Sequence, residues 1–146
     1  MAGFSVSGEA RAFASLTGLA GRFRVGLADA AEMAGQMLVR TTQSGMQGAG
    51  GGRIYAGQRR QASAPGGYPA IQSSQLYASL DHEVSREMLR FGSHGAFNRG
   101  FDYAVAQHEG TSKMGARPYL TLTVNARQGE ITAILGEVTW RHIVSG

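Results

Sequence analysis

Residues 8 to 44 carry the pattern that most limits how this chain can fold. Phe13, Leu16, Ala20, Phe23, Leu27, Ala30, Ala34 and Met37 recur at alternating spacings of three and four. That period draws one apolar stripe along one face of a long helix. Ser7 suits the N-cap, and Glu9 puts negative charge in the first turn, where the helix dipole favours it. Gly18, Gly21, Gly26 and Gly35 interrupt the helix, each at a cost of about 1 kcal/mol relative to alanine. Such a helix depends on packing against neighbours, in its own chain or in other subunits. Alanine and glycine are too common along the seam for a coiled coil.

Beyond the helix the chain breaks into shorter pieces. Gly45 to Gly52 ends the helix in a run that cannot hold one conformation cheaply. The run lacks the Gly-Lys-Ser/Thr ending of a phosphate-binding loop, because Arg53-Ile54 follows. Arg53 to Gln61 reads as a strand leading into a Pro65–Pro69 loop. Ser73 or Ser74 caps a short helix running to Leu80, with Leu76 and Leu80 on one face. His82–Arg86 and Met88–Gly92 read as a hairpin with Val84, Met88 and Phe91 inward. Gly95 to Gly100 reads as turn. Asp102 to Glu109 reads as a short helix, stopped by Gly110. From Pro118 two readings stay open. Thr121 to Val124 alternates like a strand, while Leu120, Val124, Ile131, Leu135 and Val138 fit a helical face. No internal repeat is visible, and 146 residues set the expectation of one domain, with a flexible Gly/Arg-rich loop at about 45–70.

Charge is unevenly placed. The net +4 falls between Met33 and Leu80, where Arg40, Arg53, Arg59 and Arg60 meet no acidic residue. The other ten basic residues balance ten acidic ones, and only Lys113 is a lysine. Arginine's planar fork suits carboxylate, phosphate and interface contacts; a solvated surface loop is the plainer reading. Zero cysteines exclude disulfides and cysteine zinc sites. No apolar run of membrane-spanning length occurs, and no signal peptide is expected from MAGFSVSGEARAF.

Catalytic signatures are absent from the sequence. His82, His94, His108 and His142 form no His-x-x-x-His pair, and no Gly-x-Ser-x-Gly elbow exists. Glu83 and Glu87 read as surface charges on a hairpin. No enzyme, cofactor or metal is expected. A small basic nucleic-acid-binding module is the alternative that the charge supports. It lacks a basic helical stripe or an aromatic stacking strand.

Two segments carry a more specific signal. The first is Tyr103, Glu109-Gly110-Thr111-Ser112, Met114, Ala116-Arg117-Pro118, Tyr119 and Leu120. The second is Ala62-Ser63-Ala64-Pro65-Gly66-Gly67, Pro69 and Ser73-Ser74-Gln75-Leu76-Tyr77-Ala78-Ser79-Leu80. In order and spacing they resemble the neck and tail-completion (head–tail joining) proteins of long-tailed bacteriophages, the family typified by phage Hong Kong 97. Ser74 stands where that family usually has glycine. The resemblance spans roughly residues 62 to 120. It implies an α+β domain with a long N-terminal helix, a small antiparallel sheet with short helices, and a C-terminal helix after Ala-Arg-Pro.

The resemblance also implies a function. The chain would be a virion structural protein of the head–tail junction, assembled in the bacterial host cytoplasm as a ring, of six copies, around the DNA channel. Its partners would be further copies of itself and adjoining head-completion (stopper), tail-terminator or tail-tube proteins. DNA would pass close by without sequence-specific contact, and no membrane is involved. A tailed gene-transfer particle fits as well as a phage. The interface candidates are Arg53, Arg59, Arg60, Glu109, Thr111, Ser112, Lys113 and Arg117. Glu109–Ser112 and Ala116–Pro118 are expected to position a connection, at a subunit interface or as an intrachain turn. Arg117 would pair a carboxylate or backbone carbonyls, and its loss would spare the fold.

Overall fold

The structure, a computed structural model, describes residues 7–52, 62–71, 74–86 and 88–145. It is an α+β fold. Helix α1 runs Ser7–Gly48 and helix α4 runs Tyr119–Val144, and the two pack against each other. Between them lie α2 (Ser74–Ala78), β1 (Leu80–Ser85), β2 (Met88–Ser93), β3 (Phe97–Asn98), β4 (Phe101–Asp102) and α3 (Tyr103–Glu109). The strands form two antiparallel hairpins, β1–β2 and β3–β4.

Helices α1 and α4 are antiparallel. Gly26 meets Thr139 and His142 at one end of the contact, and Thr42 meets Thr123 at the other. The covered side of α1 is Gly26, Ala30, Ala34, Leu38, Thr42 and Met46, a four-residue spacing. Glycine is required at three places in α1. A Cβ on Gly26 would lie 2.9 Å from the Thr139 Cα, and one on Gly45 would lie 2.7 Å from the Tyr68 ring. A Cβ on Gly35 would overlap the His82 ring. Gly18 and Gly21 face open space. Two of the four glycines that look like helix interruptions, Gly26 and Gly35, therefore let neighbours approach the backbone, as does Gly45 farther on.

The apolar stripe is covered over only part of its length. Helix α1 is about 63 Å long and α4 about 39 Å. Because α4 ends soon after His142, α1 continues past it. Every residue from Arg11 to Gly21 is exposed. Phe13 is 74% exposed, Leu16 64% and Phe23 46%.

The main core lies at the other end of α1. Met46, Leu76, Leu80, Ala96, Ala104 and Tyr119 are buried together. Three hydroxyls cross it. Thr42 Oγ1 is 2.8 Å from Thr123 Oγ1, and Tyr68 Oη is 3.1 Å from Thr123 Oγ1.

Several local expectations shift. The short helix stops at Ala78, and Leu80 opens β1 instead. In the first hairpin Val84 pairs with Leu89 and His82 with Phe91. Met88 is 51% exposed, because strand alternation puts it on the face opposite Leu89. Gly95–Gly100 holds β3 and the turn of the β3–β4 hairpin, whose Arg99 and Gly100 have φ of 51° and 82°. Such paired positive angles match the twist of a two-residue hairpin loop. The C-terminal segment is helix throughout, with Tyr119, Thr123, Val138 and Thr139 buried and Val124 exposed. The Gly-rich segment is helical to Gly48. Farther on, Ser63 and Pro69 are buried.

Candidate functional site

The two motif segments, distant in sequence, form one folded unit. Arg117 is its centre and is 5% exposed. Its Nε donates to Ser63 Oγ and its Nη2 to the Ser63 carbonyl, both at 2.7 Å. Its Nη1 reaches the Gly115 carbonyl at 3.2 Å and Gln107 Oε1 at 3.5 Å. The fork thus ties the Ala62–Pro69 run to the Ala-Arg-Pro segment. Of the two expected kinds of partner, a carboxylate or backbone carbonyls, Arg117 meets carbonyls, those of Ser63 and Gly115. Arg117 is an internal clamp, so its loss should lower stability rather than spare the fold.

Surrounding contacts fix the same unit. The Gly66 amide donates to the Ala116 carbonyl at 2.8 Å, and Gly115 sits against Pro65 with no room for a Cβ. The Arg117 amide donates to the Gln107 carbonyl at 2.8 Å, closing the loop between them. Tyr103 Oη accepts the Leu76 amide at 3.0 Å and so joins α2 to α3. Asp102 caps α3 by accepting the Ala104 amide at 3.0 Å. Gly110 ends that helix at φ 81°, where a Cβ would lie 2.8 Å from the Ala116 amide nitrogen. Left-handed backbone with that crowding leaves glycine alone. Tyr119 is buried beneath, its hydroxyl 3.3 Å from the Ala104 carbonyl and its ring edge-on to His108 at 5.4 Å. Burial, with Asp102 and Tyr103 nearby, pushes the Tyr119 phenol up to about 12.

The clamp presents a tight, exposed tip. Glu109, Thr111, Ser112 and Lys113 are all exposed. Thr111 and Met114 exchange backbone hydrogen bonds of 2.8 and 3.2 Å. Thr111 Oγ1 also accepts the Lys113 and Met114 amides at 3.2 and 3.1 Å. The tip is held by its own bonds, so its outward side chains start from a fixed geometry. Arg53, Arg59 and Arg60 lie outside the described residues; Arg40 is exposed on α1.

Two surface features were not read from the sequence. A groove of about 620 Å³ lies between α1 and the first hairpin, lined by Arg24, Val25, Leu27, Ala28, Val84 and Arg86. Beside it, His82 Nε2 meets Glu32 Oε1 at 2.9 Å. The Gln36 amide and then His82 hold the Glu32 carboxyl below its usual range. The His82 backbone amide and then His94 do the same for Asp81. At the far end of the helix pair, His142 meets Asp29 at 2.9 Å. The His82–Glu32 and His142–Asp29 contacts join residues tens of positions apart, so no local spacing announces them.

Comparison with protein-family models, curated proteins and solved structures gives no match to this chain.

Proposed function

We propose that the chain is a structural subunit of the head–tail junction of a tailed phage or gene-transfer particle, assembled as a ring around the DNA channel. One observation carries the reading. The two segments that resemble the neck and tail-completion proteins pack as a single clamped unit around Arg117 and Ser63. The two segments that carry the resemblance therefore meet in one place of this fold. A motif spent on building a rigid, solvent-facing tip suits a protein whose task is contact. Glu109, Thr111, Ser112 and Lys113 would meet the adjoining ring.

The projecting part of α1 supports the same reading. Among the described residues, nothing covers this part of the helix, which leaves an apolar face that assembly can bury. The face carries Phe13, Leu16 and Phe23, and the same segment carries Arg11, Arg22 and Arg24. Its aromatic and leucine side chains favour a protein partner over the phosphate contacts of a nucleic-acid-binding module.

Deletion and complementation test the proposal. Cells lacking the gene should accumulate filled heads and separate tails that do not join. Supplying the chain in trans should restore joined particles. Normal joined particles from the deletion strain would refute it.

A further inference from the structure

Two uncovered faces of the molecule complement each other. The first is the projecting part of α1, where Phe13, Leu16, Leu19 and Phe23 are 74%, 64%, 40% and 46% exposed. These positions continue the stripe that α4 covers farther along the helix. The second is the outer side of α4, where Ala126, Gly129, Ala133, Gly136 and Trp140 are all exposed. Their spacing of three, four, three and four puts them on one face, opposite the side packed on α1. Gly129 and Gly136 have nothing within 4 Å of where a Cβ would stand. One face is a row of large apolar knobs. The other is a shallow, small-residue channel that ends in an exposed tryptophan.

We infer that the projecting segment of α1 from one copy docks on the outer face of α4 of the next copy. The inference rests on the ring proposed above and supplies its subunit contact. Charge selects this pairing over two rivals. From Ala10 to Ala28 the sequence holds Arg11, Arg22 and Arg24 and no acidic residue. Two projecting segments laid on each other would set arginine against arginine. The groove beside the first hairpin is rimmed by Arg24 and Arg86, so it repels the same segment. The α4 channel is edged by Glu130 and Glu137, each three or four residues from a channel alanine. Those carboxylates sit in exposed pairs with Arg127 and Arg141, which contribute little and can exchange partners.

The contact is also heterologous. Knob and channel are different surfaces, so each copy gives one and receives one, as a closed ring requires. Four large side chains on about three turns cover less than the roughly 800 Å² per partner of a stable isolated pair. Copies therefore associate weakly when dilute and firmly once the ring closes.

Engineered disulfides test this, because the chain has no cysteine. Leu16→Cys and Ala133→Cys lie mid-face, and both residues are exposed, so the fold tolerates them. The two positions meet whichever way the helices run. Co-expressed single-cysteine chains should form a mixed disulfide dimer, in concentrated solution and in purified particles, and neither alone should cross-link. A chain with both cysteines should give a ladder ending at one closed species. A Leu16→Cys chain that cross-links to itself would overturn the inference. So would absence of mixed disulfide in particles that contain a ring of the chain, and the ring would then survive without this contact. A ladder with no closed species would keep the contact and remove the ring. Absence of both cross-link and ring would remove both. Gly136→Leu gives an independent reading. It should leave the monomer folded by circular dichroism and weaken association about tenfold or more. Unchanged association would overturn the inference.

Discussion

At the scale of single residues, Arg117 decides the most. Its buried fork makes four hydrogen bonds and meets no carboxylate among the described residues. Arg117→Ala leaves Ser63 and two carbonyls without their donors. It should lower folding stability by about 2–4 kcal/mol in chemical denaturation. Arg117→Lys should lose at least about 1 kcal/mol, because an ammonium cannot span both Ser63 acceptors and the Gly115 carbonyl. Wild-type stability in the alanine variant would refute the clamp. Tyr119 sets a pH limit. Its phenol is raised from 10.0 to about 12 in the fold, so the unfolded chain loses that proton first. The stabilisation is intact below pH 10 and is lost as pH climbs toward 12. Tyr119→Phe should flatten that alkaline decline. The motif made Arg117 visible in the sequence, but nothing local signalled its burial. What buries it is Ser63, 54 positions earlier.

At the scale of elements, the glycines of α1 divide into two kinds. Gly18 and Gly21 face open space, so Gly18→Ala and Gly21→Ala should each stabilise the isolated chain by about 1 kcal/mol. Gly26 touches the α4 backbone and Gly35 the His82 ring. Alanine at either should destabilise by about 1–3 kcal/mol through overpacking. Urea denaturation of the four variants checks both signs, and a uniform response would contradict the packing described. The long helix was legible because its period is sustained over many turns. Which half of its stripe is covered was not, since that depends on where α4 ends. The C-terminal segment read both ways, because Thr121 to Val124 alternates while its wider window is helical. Packing resolves it: Thr123 faces Thr42 and Tyr68, and Val138 lies farther along the side turned to α1. Met88 was misplaced by one position, the smallest error that reverses a strand residue's face.

At the scale of the whole molecule, the architecture is a clamp at one end and a bare helix at the other. The clamped end holds the core, the Thr111–Met114 tip and both motif segments. The bare end holds an apolar face that the other described residues leave exposed. Separating rigid contact loops from an uncovered helix suits a subunit that completes its fold on assembly. The candidate tip was legible from the Glu-Gly-Thr-Ser spacing. The bare helix was legible only as a stripe, because exposure is a property of the assembled elements.

The most direct test of the proposed role is a reconstruction of a tailed particle assembled in the presence of this chain, at a resolution that separates helices. The account predicts a closed ring at the head–tail junction, centred on the DNA channel. In each copy α1 should project onto the α4 of its neighbour, and the Glu109–Lys113 tip should touch an adjoining ring. Copies placed away from the tail axis, or no copy in the particle at all, would contradict it.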